Sequence, residues 1–409
     1  MNSRSYYLYI GALAITFFGN GLHSIGLVWL IYNMNSSVTD IGWFFIFSML
    51  PGILLAPIAG VISDLMSRQK LMIITDIFRA LLIIVLLILF NLNLLNLFII
   101  YIVTFLIGCF DKFFFPASSA LLREIVEEKE LFKANSFKNS AIQVGLIFGN
   151  ALGGFLIAIV GMNAVIVINL LSYLLSAIFI KFITSNYFPL RKQKINFKLK
   201  ESYSSFSTSL REGIAYLKNK PSILQFVTIS ASLELVVRSM NILLLPFLIT
   251  ILYLDSKAYG LIDTAFAIGS VMGGMTSSFF LKKIGKSNFL PLNLFVIGIS
   301  FITFSFSNNF IIPFFIYFLI GFNLVQVQSF VTSEIQKQVK IEFQGRTHSS
   351  IHFILSIMAV IITPFISWLA DSLSLRLVFL LIGILVISSA IWSIYLIKSK
   401  LILVSTKSN

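Results

Sequence analysis

Apolar residues run along this chain in long blocks separated by short polar turns. A stretch of about 20 apolar residues suffices to cross the hydrocarbon core of a bilayer. Twelve such stretches occur, at 7–32, 40–63, 71–91, 97–119, 137–160, 163–184, 221–250, 257–281, 288–307, 309–332, 347–370 and 375–397. The pattern predicts an all-α integral membrane protein of twelve transmembrane helices. Alternate connections are very short, at 33–38, 91–96 and 161–163, and leave no room for a domain on that side. The longest connection, 185–220, lies in the middle and is rich in Lys and Ser. Within it, Ser209-Leu210-Arg211-Glu212-Gly213-Ile214-Ala215-Tyr216-Leu217 carries apolar residues at helical spacing. That spacing predicts an amphipathic helix lying on the membrane surface, with an unstructured tether as the alternative. The expected organisation is an N-terminal six-helix half (1–184), a linker (185–220), a C-terminal six-helix half (221–398) and a tail (399–409).

Composition agrees with the pattern. Hydrophobic residues make up 58% of the 409 positions and charged residues only 11%, against about 25% in soluble domains. In a soluble protein the net charge of +14 would suggest nucleic acid, but here its placement matters more than its size. Of the 30 basic residues, only Lys257 and Arg376 fall in the short-loop segments, and Arg79, Lys112 and Arg238 fall inside spans. The rest lie in the other set of segments and the span ends that meet them. By the positive-inside rule those segments are cytoplasmic, with both termini inside. The charge is thus topological and predicts no nucleic-acid partner. Arg4 precedes an apolar run too long for the core of a cleavable leader, so it reads as a retained first span.

Enzyme chemistry finds no foothold. Cys109 is the single cysteine, which excludes a disulfide framework within the chain, and three histidines with one cysteine support no obvious metal site. There is no Gly-rich phosphate loop ending in Lys-Ser/Thr, no His-Glu-x-x-His and no Gly-x-Ser-x-Gly. No cofactor is expected. Movement of a solute would have to draw on an ion gradient or on the solute's own.

Ionisable side chains inside spans are costly and therefore functional candidates. Glu234 and Arg238, near the middle of the seventh span, share a helix face at i and i+4. They form either a self-neutralised pair that makes the helix tolerable in lipid, or a cavity carboxylate whose proton affinity depends on what lies beside it. Asp76 and Arg79 share a face at i and i+3 early in the third span, where a structural and gating role fits better than solute contact. Asp111 and Lys112 are adjacent in the fourth span and point about 100° apart, so at least one should face another helix or a cavity. Asp263, in the eighth span, has no base near it on its own helix. His23, beside Asn20 and Ser24 in the first span, is either a hydrogen-bonded structural residue or a titrating one, and His352 in the eleventh span carries less weight. Gly145, Gly149 and Gly153-Gly154 place small residues at four-residue spacing in the fifth span, which lets helices approach closely.

Between the second and third spans lies Gly60-Val61-Ile62-Ser63-Asp64-Leu65-Met66-Ser67-Arg68-Gln69-Lys70. A helix that ends in an acid facing two bases across a tight turn can act as a latch. The stretch resembles the inter-helix signature of the major facilitator superfamily, a Gly followed after three residues by an Asp-Arg-x-Gly-Arg-Arg-type run. Leu65 stands where that family usually has Arg, and Ser67 where it usually has Gly. The Gly145–Gly154 stretch resembles the antiporter motif of drug exporters in the same superfamily, with Asn150 in place of a Pro. A shift of 218 residues lays Gly42 on Gly260, Ala56 on Gly274, Ser67 on Gly285 and Arg68 on Lys286, while Asp64 meets Lys282. Two weakly similar six-span halves suit that superfamily's parallel repeat around a central cavity.

Within the superfamily, Asp76-Ile77-Phe78-Arg79-Ala80, Phe115-Pro116-Ala117 leading to Leu121 and Glu124, Ala134-Asn135-Ser136 and Arg211-Glu212-Gly213 resemble the bacterial macrolide-efflux proteins and exporters of siderophores and peptide antibiotics. The resemblance implies a monomeric secondary transporter of the bacterial cytoplasmic membrane that exports an amphipathic small molecule in exchange for protons. It implies a cytoplasmic gate at Gly60, Asp64, Arg68, Lys70, Asp76 and Arg79. Coupling or cavity roles would fall to Glu234, Arg238, Asp111, Lys112, Asp263 and His23. A Phe-rich cavity with few charges would suit such cargo, since 42 residues are Phe. The other readings are a lysophospholipid transporter of the same fold, a nutrient symporter, and a non-transporting sensor, which the short loops leave without an output.

Overall fold

The computed structural model of the chain describes residues 4–55, 58, 62, 66–127, 130–184, 199–339 and 343–398. Among them the chain is all helical. In order the helices are α1 Arg4–Asn35, α2 Val38–Leu54, α3 Arg68–Asn91, α4 Leu97–Ile125, α5 Leu131–Ile159, α6 Met162–Lys181, α7 Leu199–Lys218, α8 Pro221–Thr250, α9 Ser256–Ile284, α10 Lys286–Ser305, α11 Ile311–Gln338, α12 Gln344–Ser372 and α13 Leu375–Lys398. Eleven of them are long and apolar enough to cross a membrane, and α2 is a shorter apolar helix. The run predicted over 40–63 continues beyond α2 into residues mostly outside the described set. The remaining helix, α7, is the amphipathic segment of the linker.

Local chemistry sets the helix boundaries. Asn96 caps α4 by accepting from the Ile99 amide at 3.0 Å, and Asp255 caps α9 by accepting from the Ala258 amide at 3.1 Å. Pro221 opens α8 at a first-turn position, where its missing N–H has no partner to lose. Gly161 and Gly285, in the turns before α6 and α10, have φ of +92° and +82°, a region other residues enter only under strain. The corresponding turn before α3 differs: Ser67 has φ −59° and ψ 120°. Ser67 therefore needs no glycine, which explains why the position tolerates a side chain.

The chain divides into two compact units, one of residues 1–35 and 43–206, the other of 36–42 and 207–409. Helix pairings repeat between them. In the first unit α1 packs on α5 and α6, and α3 on α4 and α6. In the second, α8 packs on α12 and α13, and α10 on α11 and α13. Small residues make the closest crossings. A methyl group at Gly149 of α5 would sit 2.2 Å from the Phe18 carbonyl oxygen of α1, and one at Gly273 of α9 would sit 2.1 Å from the Phe322 carbonyl oxygen of α11.

Phenylalanine fills the interior and faces outward. Phe247, Phe301, Phe304 and Phe379 form a ring cluster in the second unit, with the Phe304 and Phe379 centroids 4.5 Å apart. Others, such as Phe98, Phe148, Phe279 and Phe315, are exposed, as suits surfaces that meet lipid. Helix α7 lies against the start of α12: Glu212 pairs with Arg346 at 2.5 Å, Tyr216 stacks on Phe343 at 4.9 Å, and Gly213 lets Ser350 come close.

Candidate functional site

The first unit holds a buried ionic cluster. Arg79, on α3, is 1% exposed; its guanidinium pairs with Asp76 one turn back and donates to Asp111 of α4 at 2.6 Å. Ser176 of α6 donates to the other Asp76 oxygen at 2.7 Å. The flat cation lies between two rings, 4.4 Å from the Phe114 centroid and 4.7 Å from that of Tyr173. Tyr173 in turn donates to Asn20 of α1 at 2.7 Å. Three helices thus meet at one arginine, and α1 joins them through Tyr173. Satisfying a buried charge on every side in this way is what a low-dielectric interior demands. Asp111 and Lys112 diverge as adjacent helical positions must: Asp111 turns to Arg79, while the Lys112 chain lies against Gly52 of α2.

The residues grouped above as a cytoplasmic gate are described only in part. Gly60 and Asp64 lie outside the described residues. Arg68 donates to Glu124, at the end of α4, at 2.8 Å. Lys70 is exposed, and Asp76 and Arg79 sit in the cluster just described. Gln69, not singled out in the sequence, donates to the carbonyls of Ile180 and Ile183 at 2.8 Å each and so ties α3 to the end of α6. Gly145, Gly149 and Gly153 form the face of α5 that meets α1, and Gly154 is buried beside them. His23 has its Nε2 buried without a hydrogen bond among the described residues.

The second unit holds a cavity of about 380 Å³, bounded by α8, α11 and α12. Its apolar wall includes Leu233, Val237, Leu324, Val331, Ile351 and Leu355. The polar lining follows a simple rule, with each helix presenting residues spaced four apart: Ser230 and Glu234 on α8, Gln328, Thr332 and Gln336 on α11, and Gln344, His348 and His352 on α12. Thr347 also lines it, is 1% exposed, and keeps its Oγ1 without a partner among the described residues. The Phe-rich wall expected from composition is not found here, because no Phe lines this cavity.

Glu234 and Arg238 do pair, with Arg238 Nε donating at 2.8 Å and an Nη lying 2.6 Å from the same oxygen. Both contacts fall on Glu234 Oε1, which leaves Oε2 available to the cavity that Glu234 lines. Asp263 is elsewhere. With Asn241, Tyr259 and Tyr317 it lines a second, smaller cavity of about 50 Å³. His348 and His352 had little or no weight in the sequence reading, yet their rings meet edge to face with centroids 4.6 Å apart. The signal available for them was the four-residue step from Gln344 through His348 to His352.

Two six-helix units with matching internal pairings, apolar outer faces and a polar-striped cavity define a membrane transport protein of the repeat-built kind. The model of the Major Facilitator Superfamily matches residues 9–363, and the chain belongs to that family. It is 23% identical over 387 residues to macrolide efflux protein A of Streptococcus pyogenes, covering 92% of each chain. It is 28% identical over 224 residues to the MFS-type transporter YfiS of Bacillus subtilis, a match that spans 54% of this chain and only 51% of that relative. Among solved structures it is similar to the POT family transporter PepTSo, with a TM-score of 0.74, 11% identity and 99% of each chain covered. That likeness concerns the fold alone.

Proposed function

We propose that this protein exports an amphipathic small molecule across a bacterial cytoplasmic membrane by alternating access, in exchange for protons. The observation that carries the reading is the second-unit cavity, which combines an aliphatic wall with the half-open carboxylate of Glu234. A pocket of a few hundred Å³ with a mainly apolar wall and a few polar groups suits a drug-sized cargo held by area rather than by many fixed hydrogen bonds. The full-length similarity to a macrolide efflux protein supports export as the direction. Glu234 is the principal coupling carboxylate in this reading, with Arg238 as its ion-pair partner. Asp111 with Lys112, Asp263 and His23 are secondary candidates. Arg68, with Glu124, belongs to the cytoplasmic gate together with Gly60, Asp64 and Lys70, while Asp76 and Arg79 hold the first unit together.

Expression in a drug-sensitive bacterial host tests this. Growth inhibition and accumulation of a panel of macrolides, dyes and peptide antibiotics should fall for at least one amphipathic compound, and a protonophore should abolish the difference. Unchanged accumulation across the panel would count against export, and protonophore-insensitive, sodium-driven export would count against proton exchange alone.

A further inference from the structure

Among the described residues none of α7 lines the second-unit cavity, yet α7 packs directly behind its wall. Leu217 of α7 is 1% exposed and shares a hydrophobic cluster with Ile223 and Val227 of α8, Val339 at the end of α11 and Ile351 of α12. Val339 and Ile351 also line the cavity, as do Ile335 and Leu355, which pack against the same cluster. We propose that α7 is a positioning element of this cavity, and that Glu212, Gly213 and Leu217 fix the opening turns of α12 that form its wall. Where the inference touches cargo it rests on the export reading, since cargo would then meet Thr347 and Ile351 in the geometry that α7 sets.

The start of α12 has little of its own to hold it. Phe343, at its N-cap position, makes no side-chain cap bond, so no side chain there satisfies the amides of the first turn. A helix end in that condition frays unless tertiary contacts hold it. Helix α7 supplies them. Glu212 pairs with Arg346 at 2.5 Å and brings a negative charge to the α12 N-terminus, which the helix dipole favours. Tyr216 stacks on Phe343 with centroids 4.9 Å apart, and Ser350 donates to the Leu210 carbonyl at 3.3 Å. Gly213 makes this approach possible: a methyl group there would sit 2.1 Å from Ser350 Oγ and 2.7 Å from the Arg346 carbonyl oxygen.

The opening turns of α12 therefore have two occupied faces. Arg346 and Ser350 meet α7, while Gln344, Thr347, His348 and Ile351 meet the cavity. The two sets are neighbours in sequence, Arg346 beside Thr347 and Ser350 beside Ile351, and point about 100° apart. They share one stretch of backbone, so any rotation or fraying that α7 permits at one face is passed to the other. Loss of the α7 contacts should open the wall at Thr347, which is 1% exposed with α7 in place. Glu212 and Arg346 are both exposed, so their pair alone contributes little. The weight falls on Leu217 and on the close approach at Gly213.

The test uses the full chain in lipid nanodiscs, carrying Cys109→Ser, and the rate at which N-ethylmaleimide labels a single reporter cysteine. Thr347→Cys reports the cavity wall. Thr363→Cys, buried on the same helix about four turns further on, reports the rest of α12. Gly213→Leu should raise the Thr347→Cys rate about tenfold or more and leave the Thr363→Cys rate within about twofold of the parent. Leu217→Ala should act in the same direction and provides a milder variant should the wedge fold poorly. Glu212→Arg should raise the wall rate about fivefold or less, and adding Arg346→Glu should return it to the parent's. A Thr347→Cys rate that stays within about twofold of the parent in both Gly213→Leu and Leu217→Ala would overturn the proposal. An equal rise at Thr363→Cys would overturn it too, because α7 would then stabilise the whole helix rather than position the wall. Labelling needs no cargo, so failure here leaves the export reading standing, and an accumulation panel without effect leaves this inference standing.

Discussion

Replacing Arg79 with Leu should damage the protein far more than any single change on its surface. The guanidinium is 1% exposed and faces two carboxylates, of which Asp76 is fully buried. Truncation leaves both acids without their counter-ion in a low-dielectric interior. Breaking a buried pair in this way costs about 3–5 kcal/mol. Lost stacking between the Phe114 and Tyr173 rings adds about 0.5–2 kcal/mol. For a unit of this size each kcal/mol moves the melting temperature by roughly 2–4 °C, so a combined loss of about 3.5–7 kcal/mol should lower it by roughly 7–28 °C. The partner variants separate charge from packing. Asp111→Asn keeps the Arg79–Asp76 pair and should cost much less, whereas Arg79→Leu with Asp111→Asn should recover part of the loss by removing one stranded charge. Detergent-solubilised melting followed by fluorescence-detected size exclusion measures all three. An Arg79→Leu protein that melts within about 2 °C of the parent would refute the structural role argued here.

Two further outcomes follow from packing and from the ion pair near the α2–α3 turn. Gly149→Ala places a methyl 2.2 Å from the Phe18 carbonyl and should force α1 and α5 apart, costing about 1–3 kcal/mol; Gly145→Ala, at 2.5 Å from the Ala14 carbonyl, should behave alike in the same melting assay. The Arg68–Glu124 bond is partly exposed, at 27% and 14% for the two side chains, so its loss should cost stability only about 1 kcal/mol or less. Its effect should appear in transport instead: Arg68→Glu should lower export, and exchange of the two residues should restore it.

Much of the fold is legible in the sequence because a bilayer imposes a single long-wavelength pattern. Apolar run length and the side on which Lys and Arg fall give the helices, and the Lys-rich linker with its Leu210–Tyr216–Leu217 spacing gives the amphipathic α7. Pairing across helices is another matter. Nothing in the sequence around Asp76, Arg79 and Asp111 says that one guanidinium serves both acids, because that depends on how α3 and α4 cross. The abundance of Phe points to an aromatic cavity, yet the wall of the larger cavity has no Phe, while Phe266 lines the smaller one and many other rings fill the core and the outer faces. Glu234 and Arg238 are readable as a pair from their spacing alone. That both contacts fall on one oxygen is a rotamer outcome that spacing does not specify. The cavity's polar stripes were present in the sequence at every fourth position of α11 and α12, but only assembly turns three separate stripes into one wall.

The account depends most on Glu234. Its carboxylate shares a helix face with Arg238, lines the one cavity described here that combines drug-sized volume with an ionisable wall, and keeps Oε2 unclaimed by that arginine. The direct measurement is uphill export by Glu234→Gln in proteoliposomes under an imposed pH step, using a compound that the parent is first shown to export. The account predicts that the variant still inserts, melts near the parent and equilibrates the compound downhill, but accumulates none of it against a gradient. A Glu234→Gln protein that pumps uphill at the parent's rate would reduce the pair to a structural salt bridge and contradict the central claim.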